Sequence, residues 1–148
     1  MSDSFDRFLR WYCADRLDER LRQAAAEWLV LTALGLSPEH QDLPEALAVS
    51  SALQAPWFHG PGQESSPVVF PVPESPPAWL LFALWGPPHP GDQPAQPLLH
   101  RDWLFWLVPR NQLHPERRRI GLNPLRRAQG DGVEYAALPP LLAQRLPL

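Results

Sequence analysis

Chemistry needs side chains that hold a cation, attack as nucleophiles or move protons, and in this chain they are thinly spread. The histidines, His40, His59, His89, His100 and His114, show no metal-ligand spacing. The nearest thing to a ligand set is His40 with Asp42 and His59. Ser50 and Ser51 stand side by side in an apolar run, but no nucleophile elbow or neighbouring base accompanies them. They read as packing and hydrogen-bonding residues. Cys13 is the only cysteine, so no internal disulfide can form, and it reads as a small apolar residue of a helix. No glycine-rich phosphate loop is present. Arginine is the residue that gathers: Arg110, Arg117, Arg118, Arg119, Arg126 and Arg127 lie close together in sequence. The planar guanidinium makes paired contacts with phosphate or carboxylate, so this segment is a candidate nucleic-acid surface. Its other reading is a basic edge that meets an acidic partner protein.

The charge pattern around that segment is uneven. All 13 basic residues are arginine, and the chain contains no lysine. Arginine without lysine, together with 20 prolines, points to a GC-rich genome. The net charge of −3 hides two opposite regions. Residues 28 to 100 carry six acids (Glu39, Asp42, Glu45, Glu64, Glu74 and Asp92) and no Lys or Arg. Residues 101 to 127 carry seven arginines against two acids, a local balance of 7 − 2 = +5.

A chain of 148 residues with 45% hydrophobic content fits one domain with a real core, spanning residues 1 to 148. No apolar run reaches the roughly 18 residues of a membrane span. No secretory signal is visible at the N-terminus. A bacterial-type cytoplasmic location is therefore expected, with no membrane partner and no cofactor.

Residues 3 to 34 read as a long N-terminal helix, with apolar positions at Phe5, Phe8, Leu9, Tyr12, Leu17, Leu21, Ala24, Ala25, Trp28 and Leu31. A break near Asp15 would suit an N-cap. Gly35, Leu36 and Pro38 form a stop signal. Strands are expected at 47–53 and 67–72, and doubly buried strands at 78–85 and 102–109. Proline-rich loops separate them at about 56–77 and 86–97. Trp79, Trp85, Trp103 and Trp106 have apolar neighbours on both sides and read as core. A short strand is expected near Ile120 to Leu122, a turn at Asn123-Pro124, another turn at 130–132, and a closing strand and helix. The order helix, strands, helix implies an α/β sandwich around a mixed sheet flanked by helices.

Several fragments, taken in order, resemble a group of small bacterial proteins of the PD-(D/E)XK restriction-endonuclease-like superfamily. They are "AAEWLVLTALGL" (25–36), "QDL" (41–43), "LAVSSALQAPW" (47–57), "QESSPVVF" (63–70), "LLFAL" (80–84), "WLFWLVPRNQLHPERRRIGL" (103–122) and "VEYAAL" (133–138). The resemblance covers roughly residues 20 to 145 and implies a restriction-endonuclease-like fold, with "QDL" on a strand. It also implies a phosphodiesterase centre in which an Asp and a Glu hold a divalent metal and a Lys stands by the attacking water.

Carried over position by position, Glu27 and Asp42 are retained. The metal-binding Glu falls on Leu47 and the Lys on Val49. Leucine and valine give a metal nothing, and Asp42 alone would hold Mg²⁺ poorly. Glu45 stands two residues before Leu47, yet no lysine exists to complete a migrated motif. The resemblance thus implies a pseudo-nuclease without catalytic or metal residues, acting as an accessory or regulatory subunit of a protein or protein–DNA assembly. One alternative is a nucleic-acid binder using the arginines of 110–127. A second is a weak metal nuclease around Glu27, Asp42 and Glu45, and a third is an unrelated α/β domain with an ordinary core strand at 47–53. The oligomeric state stays open.

Overall fold

A computed structural model describes residues 19–53, 68–85 and 103–146. The expected helix start, the break near Asp15, Cys13 and most of the two proline-rich loops lie outside the described residues.

Helix α1 spans Glu19–Ala33. Ala25, Ala26, Leu29 and Val30 are buried, the spacing of one helix face. Its end follows the expected signal. The Leu36 N–H reaches back to the Leu31 carbonyl at 3.0 Å, and the Gly35 N–H to Thr32 at 3.0 Å. This paired closure needs a left-handed residue, and Gly35 supplies it with φ of 77°.

The principal sheet has the order β1-β3-β4-β6, with β1 at Leu47–Leu53, β3 at Trp79–Trp85, β4 at Trp103–Pro109 and β6 at Val133–Glu134. Strands β1 and β3 run parallel, with Leu47 beside Trp79. Strands β3 and β4 are antiparallel, with Phe82 beside Trp106, and β4 pairs antiparallel with β6. The sheet is therefore mixed. A second, two-stranded sheet joins β2 (Val69–Pro71) to β5 (Arg119–Gly121) antiparallel, and β2 lies within the strand expected at 67–72.

Alternation along the strands sorts side chains into two cores. On one face Leu81, Ala83, Trp85, Trp103, Phe105 and Leu107 pack with α1 and with α3 (Leu138–Arg145). On the other face Leu80, Phe82, Leu84, Trp106 and Val108 meet Phe70 and Ile120 of the small sheet, Val72 just after β2, and Leu125 of α2 (Leu122–Gln129). Strands β3 and β4 are buried on both sides, which is why they read as unbroken apolar runs. Trp85, Trp103 and Trp106 are core residues as expected, and Trp79 is half-buried.

Two local expectations are corrected. The segment 41–44 forms no strand. Instead, the His40 and Gln41 N–H groups bond the Ser37 carbonyl, and the Ser37 N–H bonds Gln41 Oε1 at 2.7 Å. Pro38 favours that turn, and Pro44 closes the segment. Asn123-Pro124 is likewise no turn but the first turn of α2, capped by Gly121. Proline costs nothing there, because N–H groups of a first turn have no helical acceptor.

Candidate functional site

Strand β1 is where the resemblance implies chemistry, and its side chains divide by parity. Leu47 is 4% exposed, in the core that holds Ala25, Ala26, Leu29 and Val30 of α1. Val49 is half-buried against the same core. Ala48 and Ala52 belong to the opposite core. The two positions that would carry a carboxylate and a lysine thus face the inner side of a helix.

Farther along that face, the apolar contact gives way to a polar relay. Ser51, 2% exposed, donates its hydroxyl proton to Gln23 Oε1 at 2.8 Å. Gln23 Nε2 donates to the Val49 carbonyl at 2.6 Å, and Arg22 Nε donates to Ser51 Oγ at 3.3 Å. On the other face Ser50 donates to the Pro71 carbonyl at 2.5 Å. Each serine hydroxyl is consumed in tying layers together, which is structural work rather than nucleophilic work. Sequence reading singled out neither Arg22 nor Gln23. A signal existed: Gln23, Ala26 and Val30 share one helix stripe, and a glutamine on a buried stripe needs a partner.

The acids that the resemblance singles out, with Glu45, are dispersed. Glu27 is half-buried on α1, Asp42 is exposed in the irregular segment before β1, and Glu45 is exposed in the turn that opens β1. His40 and His114 are exposed, whereas His59, His89 and His100 lie outside the described residues. Among the described residues no three His, Cys, Asp or Glu side chains gather where they could hold a metal ion.

The arginines, by contrast, share a region. Arg110 opens a short 3-10 helix, Arg110–Gln112, and its Nη1 donates to the Pro76 carbonyl at 3.3 Å. Gln112 at its end accepts from Gln129 Nε2 of α2 at 2.5 Å, which brings Arg110 toward the end of α2 that carries Arg126 and Arg127. Arg117, Arg118 and Arg119 are exposed and lead through β5 directly into α2. Arg126 is half-buried, and its Nε is buried with no hydrogen-bond partner. Arg126 and Arg127 sit in the last turn of α2, where the helix dipole favours cations. None of these six guanidinium groups forms an ion pair among the described residues.

Among the described residues the arrangement therefore offers an apolar and internally bonded strand at one place and positive charge without an ion-pair partner at another. Compared with protein-family models, curated proteins and solved structures, the chain finds no match.

Proposed function

We propose that this protein acts by binding and not by catalysis: a pseudo-nuclease on a restriction-endonuclease-like scaffold, serving in the cytoplasm as an accessory or regulatory subunit of a protein or protein–DNA assembly. The observation that carries the reading is the burial of Leu47 under α1, with Val49 beside it and the Val49 carbonyl held by Gln23. A hydrated metal would need that face open and polar, and a carboxylate placed there would lose its water without a partner. The arginines, which form no ion pair among the described residues, supply the other half: a surface whose charge asks for an anionic partner.

Copurification from the native host, with and without nuclease digestion, tests the proposal. A protein partner retained after digestion, and lost when Arg118 and Arg119 are both changed to Ala, is the expected result. Loss of every partner on digestion would favour the second reading, a nucleic-acid binder using Arg110, Arg117, Arg118, Arg119, Arg126 and Arg127.

A further inference from the structure

We propose that the outer edge of β5 is a docking strand for an extended acidic segment of a partner protein, which adds beside β5 as a third strand of the small sheet. The inference rests on the binding-subunit reading and names the chemistry of the partner.

The register defines the edge. The Val72 N–H bonds the Arg118 carbonyl at 2.8 Å, and the Leu122 N–H bonds the Val68 carbonyl at 2.9 Å. With Phe70 opposite Ile120, the bonded positions of the ladder are 118, 120 and 122. Arg119 and Gly121 fall between them, so their N–H groups and the Arg119 carbonyl turn away from β2. The far side of β2 is already engaged, because Ser50 bonds the Pro71 carbonyl. The far side of β5 has no strand partner among the described residues. An open edge is a template for an added strand.

Charge selects the occupant. Arg117, Arg118 and Arg119 are exposed at this edge, and successive side chains of an extended segment leave on opposite sides of it. An incoming strand with alternate carboxylates would meet guanidinium groups while its main chain meets the Arg119 N–H and carbonyl. A second copy of the same edge is disfavoured, because antiparallel pairing would oppose arginine to arginine. Nucleic acid would use the arginines but not the donor–acceptor alternation of the edge.

The test is fluorescence anisotropy with the full-length protein at physiological salt. Its probe is a short labelled peptide alternating glutamate with valine, and labelled duplex and single-stranded DNA are competitors. We expect the peptide to bind and to weaken about tenfold or more when alternate backbone amides are N-methylated, as lost main-chain bonds require. Arg119→Pro removes an outward N–H without touching a bond to β2, so it should bind about tenfold more weakly than Arg119→Ala. Because Arg119→Pro could disturb folding, a second variant reverses charge. Arg118→Glu with Arg119→Glu should lose the acidic peptide and bind its lysine–valine counterpart. Absence of peptide binding, indifference to N-methylation, or displacement by DNA at lower concentration than by unlabelled peptide would each overturn the docking proposal. If it is overturned while a protein partner still copurifies after nuclease digestion, the binding-subunit reading stands. If copurification fails too, both fall.

Discussion

Leu47 lies in the core of the sheet–helix layer, where a buried leucine contributes about 1.5–3 kcal/mol. Replacing Leu47 by Glu together with Val49 by Lys would place there the two side chains that the resemblance implies for a metal centre. The carboxylate would enter a core lined by Ala25, Ala26 and Leu29. The double variant should lose about 1–3 kcal/mol in chemical denaturation. An unchanged melting temperature would mean that this face of β1 is open to water. Tyr135 gives a second residue-scale prediction. Burial near Phe105, with ring centroids 6.4 Å apart, pushes its phenol above the ordinary 10.0. A raised folded pKa contributes stability that is present below about pH 10 and lost as pH rises through the folded value. With no lysine in the chain, few groups titrate in that range. Stability between pH 9 and 12 should therefore fall less in Tyr135→Phe than in the native protein, and parallel curves would contradict this.

At the scale of elements, the joint between α1 and β1 is the relay of Arg22, Gln23 and Ser51. Gln23→Ala strips the Val49 carbonyl of its side-chain donor and Ser51 of its acceptor. A cost of about 1–3 kcal/mol is expected, with amide exchange speeding up first in α1 and β1. Uniform exchange across β3 and β4 as well would show that the joint is not local. The principal strands were legible because each carries its own evidence: β3 and β4 are unbroken apolar runs and β1 has its expected ends, Leu47 and Leu53. The stop at Gly35 was equally legible. The strand expected at 41–43 failed because Ser37 and Gln41 bond each other locally, which no apolar pattern discloses. The helix after Gly121 was hidden by Pro124, although Leu122 and Leu125, three apart and both buried, mark its inner face. Pairings between distant segments, such as β2 with β5 and β1 parallel to β3, depend on tertiary packing and have no local signature. For the same reason the site was only half legible. The positions 47 and 49 could be singled out, but not the helix face that covers them.

For the molecule as a whole, among the described residues no helix is long and apolar enough to cross a membrane. Charge is the property that distinguishes its surfaces. Exposed acids (Glu39, Asp42, Glu45) precede β1, and exposed arginines gather around β5 and α2. If Arg117, Arg118, Arg119, Arg126 and Arg127 all gripped duplex phosphates, log affinity against log salt would have a slope of about −4.5, shrinking by about 2 when Arg118 and Arg119 become Ala. We expect weak duplex binding at physiological salt instead, because the acidic surface opposes a long polyanion. Submicromolar duplex affinity abolished by the double Arg substitution would put the nucleic-acid reading first.

The central claim, binding without catalysis, is tested most directly by incubating the purified full-length protein with labelled DNA and RNA in the presence of Mg²⁺ or Mn²⁺. The packing of Leu47 and Val49 against α1 predicts intact substrate at every metal concentration. Metal-dependent cleavage that disappears in Asp42→Ala would contradict it.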